Sequence, residues 1–173
     1  MKKYQKTIVD LLRNRPKKIC AEVGVWKGDL VLLLLKTYPE IMKYYCIDLW
    51  KHYDDFTAIL KPKGVMKNCD FEQVYLNYIE RTKKVKDRII NLRMTSKDAS
   101  KKVADNSLDF IFIDANHATE YAKQDIQLWY PKVKKGGLMS GHDYGNKRFG
   151  VTEAVNELLP KAKSKGSVWY IRI

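Results

Sequence analysis

The sequence predicts a doubly wound α/β fold, a mostly parallel sheet with helices on both faces, from three observations. Short runs rich in aliphatic, β-branched and aromatic residues alternate with segments of helical periodicity. Those runs are apolar at consecutive positions, as strands covered on both faces require. The length of 173 residues suits one domain, 1–173, with no internal repeat or low-complexity tract. Strand–helix alternation of this kind implies right-handed crossovers between parallel strands.

Each element has a local reason. Tyr4, Ile8, Leu11 and Leu12 recur at helical spacing among lysines and arginines, predicting an N-terminal helix within 1–15 that Pro16 ends. KKICAEVGVW then reads as a strand ending at Gly24. Asp29 stands where it can charge-stabilise the start of a helix through 30–37, closed by Pro39. MKYYCIDLW, 42–50, reads as a second strand ending near Asp48. The stretch 51–70, broken by Pro62 and Gly64, is long for a bare connection and is expected to be a lid or substrate loop. A helix is expected over 71–82, and RIINLRM, 88–94, is a third strand. TSKD at 95–98 has the form of a capping box opening a helix. LDFIFID is a fourth strand, followed by a helix carrying Ile126, Leu128 and Trp129 to Pro131. KKGG is expected to turn into a fifth strand, LMSGHDY. GVTEAVNELL is helical and SVWYIRI closes the chain as a strand.

Composition narrows the function classes. Hydrophobic content of 45% with 31% charged residues describes a globular chain rather than a disordered one. The run LVLLLL at 30–35 is too short to span a bilayer, and no signal peptide is evident, so a cytoplasmic location is expected. Cys20, Cys46 and Cys69 lack metal-ligand spacing, and no disulfide framework is expected. A net charge of +13 raises the question of an acidic or nucleic-acid partner. Of the 33 basic residues 26 are lysine, spread along the chain, which favours a solvated surface over a built phosphate site.

Polar residues of unusual character gather at the strand ends, where open parallel sheets bind their ligands. Glu22 and Gly24 close the first strand and Asp48 the second. Thr95 and Ser96 follow the third, Asp114 and His117 the fourth, and His142 and Asp143 the fifth. Five such ends on one rim point to a ligand site. The first turn, E22-V-G24-V-W-K-G28, departs from the dinucleotide fingerprint: Trp26 stands at the second glycine position and Asp29 at the third. A carboxylate at the helix mouth opposes a phosphate, so the rim is expected to take a nucleoside without phosphates. Asp48, 24 residues beyond Gly24, is placed to accept hydrogen bonds from ribose hydroxyls.

The ordered set E-x-G-x-x-x-G, I-D after strand two, D-x-x-H after strand four and G-G-x-x-x-G-H-D on strand five resembles class I S-adenosylmethionine-dependent methyltransferases over about residues 17–159. The resemblance implies a Rossmann-like methyltransferase fold in which Gly24 and Gly28 line the methionine part of S-adenosylmethionine. It implies that Glu22 supports the cofactor's amino group, that Asp48 holds its ribose, and that Ser96 and the backbone of Thr95 lie by its adenine. D-A-N-H at 114–117 with H-D at 142–143 resembles the small-molecule O-methyltransferase branch. That resemblance implies a hydroxylated small-molecule acceptor, His117 as general base and a divalent cation, magnesium or another, near Asp114. Deprotonation fits the chemistry, since a hydroxyl must lose its proton to attack a sulfonium methyl group.

Two departures from the family pattern follow. Relatives usually carry an acidic pair, or aspartate then asparagine, on strand five, where this chain has His142, Asp143 and Tyr144. Asp114, His142 and Asp143 are the expected metal ligands, and His142 favours zinc, manganese or iron over magnesium. The C-terminal strand pair is shortened, which raises the expectation of a pocket completed in a homodimer. Two other readings stand beside the first: an RNA-ribose or protein methyltransferase docking an acidic substrate on the basic surface, and a non-catalytic nucleoside-binding domain.

Overall fold

The computed structural model describes residues 1–51 and 69–173. Its elements, in chain order, are α1 (Lys3–Leu12), β1 (Ile19–Val23), α2 (Asp29–Thr37), β2 (Lys43–Asp48), α3 (Phe71–Thr82), β3 (Ile89–Arg93), α4 (Ser96–Ser100), β4 (Leu108–Ile113), α5 (Thr119–Trp129), β5 (Val133–Gly141), α6 (Val151–Leu158), β6 (Lys163–Lys165) and β7 (Val168–Arg172). The substrate-loop expectation for 51–70 falls, from 52 to 68, outside the described residues.

The strands form one seven-stranded sheet in the order β3-β2-β1-β4-β5-β7-β6. The first five are parallel, while β7 runs antiparallel to β5 and β6. The expected C-terminal strand pair is therefore present, with β6 only three residues long. β4 is buried at all six positions. Phe110 and Phe112 pack with α1–α3 on one face, and Ile111 and Ile113 pack with α4–α6 on the other. Burying each such side chain contributes about 1.5–3 kcal/mol, so the central strand is held from both sides.

Local chemistry accounts for the helices. In α2 the buried Leu30, Val31, Leu34 and Leu35 repeat at helical spacing, which turns the apolar run into a helix against the sheet. Asp29 opens α2 and is paired with Arg81 at 2.8 Å and with Lys2 at 3.5 Å. Thr95 caps α4 by accepting from the Asp98 amide at 3.1 Å. Asp70 caps α3 by accepting from the Gln73 amide at 2.9 Å.

One expectation needs correction. The KKGG stretch does not turn into β5 but lies inside it, since β5 begins at Val133. The partners Leu108↔Val133 and Phe110↔Leu138 leave extra β5 residues unpaired as a bulge, with Gly136 at φ +82°. The strand ends at Gly141, so His142 and Asp143 stand just past it rather than within it.

Candidate functional site

The chain order reverses direction between β1 and β4, which places the switch point at their carboxyl ends. There the two strands come unusually close. The Asp114 amide donates to the Val23 carbonyl at 2.8 Å, while on the other side of β1 the Gly24 amide donates to the Ile47 carbonyl of β2 at 2.8 Å. A Cβ on Gly24 would lie 2.1 Å from the Asp114 carbonyl oxygen, and its φ of +91° also requires glycine. Gly28 has a packing reason of its own: a Cβ there would lie 2.7 Å from the Tyr78 ring.

Asp48 pins the loop between the two glycines. Its Oδ2 accepts from the Trp26 amide and its Oδ1 from the Trp50 amide, both at 2.8 Å. Burial raises its pKa, and these backbone donors oppose the rise. Trp26 and Trp50 both adopt positive φ, +53° and +42°, a strained choice for a bulky side chain that the carboxylate stabilises. The backbone amides of Leu49 and Val25 also act on the carboxylate and hold its pKa down alongside those of Trp26 and Trp50.

Glu22 is only 4% exposed. Its Oε2 accepts from the Tyr44 hydroxyl at 3.2 Å. Burial, with Asp114 nearby, holds its carboxyl well above the usual range. A buried carboxylate in that condition gains from a cation. S-adenosylmethionine carries an ammonium and a sulfonium, and its donor chemistry therefore fits this rim.

At the ends of β4 and β5, four polar side chains converge. His117 Nε2 lies 3.3 Å from Asp114 Oδ1 and 3.2 Å from Asp143 Oδ2. His142 Nδ1 lies 3.3 Å from Asp143 Oδ2 and 3.7 Å from Asp114 Oδ1. Burial alone would lower the His142 pKa, but the two carboxylates outweigh it and push it up to about 10. Burial likewise works to raise Asp114 and Asp143, and the imidazoles outweigh it and hold both low. His142 Nε2 is 2.9 Å from Ser167 Oγ, which fixes the ring's other side. Asp143 adopts φ +59°, which turns its carboxylate back toward both histidines.

Among the described residues, ligand atoms of Asp114, His117 and Asp143 lie within 4.8 Å of one another, a spacing that suits one cation. His142 borders the same carboxylates without belonging to that trio. Two carboxylates with an imidazole suit manganese, iron or zinc by donor type.

Ser96 lies apart from this cluster. Its hydroxyl hydrogen-bonds to Asp125, and it accepts from Trp129 Nε1 at 2.8 Å. Asp125, 4% exposed, is pushed up to about 6 by burial, which the Ser96 hydrogen bond opposes. The side chain of Ser96 is thus committed to α5, and its backbone remains at the β3 rim beside Thr95.

Sequence reasoning missed three neighbours of the site. The Tyr4 ring from α1 lies 4.7 Å from the His142 ring, centre to centre. Phe149 lies 4.5 Å from the His117 ring. Ser167, in the β6–β7 connection, orients His142. None carries a motif, and only the spatial meeting of distant segments reveals them.

Three solved structures share the architecture. The O-methyltransferase NovP superposes with a TM-score of 0.72 at 18% identity, over 98% of this chain and 77% of that one. The calicheamicin methyltransferase CalS11 gives 0.71 at 13% identity, with the same two coverages. A putative caffeoyl-CoA O-methyltransferase from Staphylococcus aureus gives 0.68 at 15% identity, over 98% and 82%. No curated protein matches the sequence. Among the described residues no helix is long and apolar enough to cross a membrane. The methyltransferase domain family matches residues 21–144, from the strand that carries Glu22 through His142 and Asp143 just past β5. The chain belongs to that family, and with the fold just described it is a class I S-adenosylmethionine-dependent methyltransferase.

Proposed function

We propose that the chain methylates a hydroxyl group of a small molecule, with His117 as general base. The observation that carries this reading is the seat of His117 Nε2 at 3.3 and 3.2 Å from Asp114 and Asp143. With Nε2–H donating to those carboxylates, Nδ1 is the basic nitrogen, and the carboxylates stabilise the imidazolium that forms. His117 takes the hydroxyl proton as the acceptor oxygen bonds to the methyl carbon, and the sulfur keeps the electron pair of the broken C–S bond. Glu22 holds the amino group of the cofactor, Gly24 and Gly28 let the methionine part approach the backbone, and Asp48 accepts from the ribose. The backbone of Thr95 and Ser96 flanks the adenine, and Asp114 borders the methyl group. NovP, CalS11 and the staphylococcal protein are described as methyltransferases, two of them as O-methyltransferases, which supports the reaction class.

A divalent cation is the second element of the reading, supported by the carboxylates of Asp114 and Asp143 with His142 beside them, which leaves His117 to act as the base. Such a cation, when bound, would lower the acceptor hydroxyl's pKa and orient its oxygen. A groove of about 680 Å³ lined by Arg13, Arg15, Lys165 and Arg172 with Asp10 lies toward the amino end of β5, so a larger, acidic acceptor docked there would have to extend to the opposite rim. Competition of methyl transfer by RNA, lost at raised salt, would favour that acceptor over a small molecule. Light scattering tests the homodimer reading.

The deciding experiment is calorimetry with S-adenosylmethionine followed by mass spectrometry of methylated products from hydroxylated small molecules. Methyl addition to an oxygen supports the proposal, and methylation only of RNA or protein would overturn it.

A further inference from the structure

The first turn of α1 reaches over the cofactor side of the rim. Across β2, β1, β4 and β5 the register aligns Cys46, Glu22, Phe112 and Ser140 in one row. Phe112 faces α1–α3, and the Tyr4 ring lies parallel to it, 6° between planes and 6.0 Å between centroids. The same ring leans over His142 at 4.7 Å. Tyr4 therefore spans from the row that contains Glu22 to the end of β5.

One ion pair and one hydrogen bond hold this turn in place. Lys2 Nζ lies 3.5 Å from Asp29, the first residue of α2 directly after Gly28, and 6.0 Å from the centre of the Tyr4 ring. The Lys2 amide donates to Gln5 Oε1 at 2.8 Å, closing the first turn of the helix. The turn is thereby tied to the end of the glycine loop, and Tyr4 has a fixed position beside it. An aromatic face attracts a cation through its quadrupole and has no such attraction for a neutral thioether.

We propose that Tyr4 recognises the sulfonium of S-adenosylmethionine, its ring forming a wall of the methyl-donor position, so that α1 discriminates the charged donor from the neutral product. This inference rests on the placement of the cofactor at the β1–β4 rim proposed above. Loss of the positive charge on methyl transfer removes the ring's attraction and weakens the hold on the product. Tyr4 then contributes to donor selection and to product release.

Calorimetry with S-adenosylmethionine and S-adenosylhomocysteine separates the possibilities, using the full chain, Tyr4→Phe and Tyr4→Leu, with thermal unfolding as a control of folding. Tyr4→Phe keeps the ring and should keep the preference for donor over product. Tyr4→Leu should reduce that preference by roughly three- to thirty-fold, mainly through weaker donor binding. Fluorinated phenylalanine at position 4 keeps the shape while weakening the quadrupole, and should also reduce the preference. A preference unchanged in the Tyr4→Leu and fluorinated chains, or an equal loss for both ligands, would overturn the inference and leave the cofactor placement standing. Binding of neither ligand by the unaltered chain would overturn the placement itself and the inference with it.

Discussion

Gly24 packs against Asp114 so closely that a single added Cβ would come within 2.1 Å of the Asp114 carbonyl oxygen. The contact joins the proposed cofactor loop after β1 to the strand end that carries the proposed base. Gly24→Ala should therefore disturb both at once. Its positive φ and the backbone clash predict a loss of at least about 2 kcal/mol in chemical denaturation, since backbone rather than a mobile side chain must yield. Binding of S-adenosylmethionine to the folded fraction should weaken in parallel. An unchanged midpoint and affinity would show that the two strand ends are not held as described.

Glu22 predicts opposite signs for stability and binding. Its folded pKa is raised by burial, so the folded state binds more protons above the ordinary glutamate range. Stability that Glu22 permits at low pH is lost as pH rises toward the folded value. Glu22→Gln removes that loss and should raise the melting temperature of the ligand-free protein at neutral pH, by roughly 2–4 °C per kcal/mol recovered. The same change deletes the proposed partner of the cofactor's ammonium and should weaken its binding by about ten-fold or more. A variant that is both less stable and unchanged in binding would contradict the assignment.

Asp125 gives a pH test at a site that contacts no proposed substrate. Its pKa is pushed up from 3.8 to about 6, so the folded state holds the proton over that interval while the unfolded chain releases it. Stability contributed by the neutral acid declines from about pH 4 to about pH 6, by on the order of 2–3 kcal/mol in total. Asp125→Asn should flatten that part of the stability profile, read as the urea midpoint across pH 4–7. A slope identical to that of the unaltered chain would mean that the Ser96–Asp125 pair does not titrate as described.

How much was legible before the structure depended on whether neighbours were local or distant. The alternation of apolar runs and periodic segments marks the parallel sheet, because strand and helix patterns are local properties of the chain. Thr95 and Asp98 were readable as a cap for the same reason. The rim residues Glu22, Asp48, Asp114, His117, His142 and Asp143 were readable because each follows an apolar run. The bulge in β5 was not, since KKGG has turn composition and only pairing with β4 reveals that the strand continues through it. Tyr4 reads as an ordinary helical residue until α1 is packed, and its ring is then found on Phe112 and His142. Ser96 was readable as a rim position, whereas its commitment to Asp125 and Trp129 depends on how α5 docks. The convergence of His117 Nε2 on two carboxylates from different strands is likewise a property of the sheet order, not of spacing.

The pair of carboxylates makes a cation test direct. Manganese titrated into chelator-treated protein should bind at a single site, detected by its paramagnetic effect on nearby histidine resonances. Asp143→Asn should weaken that binding by about ten-fold or more, as expected when a charged ligand is replaced. Equal binding by the variant would place any cation elsewhere.

The central claim is that His117 is the proton acceptor. His117→Ala should bind S-adenosylmethionine within about two-fold of the unaltered chain while its single-turnover methylation of a hydroxylated acceptor falls by roughly 10²–10⁴-fold. Tight cofactor binding with that loss of rate is the predicted result. Methylation by His117→Ala at the rate of the unaltered chain would contradict the account.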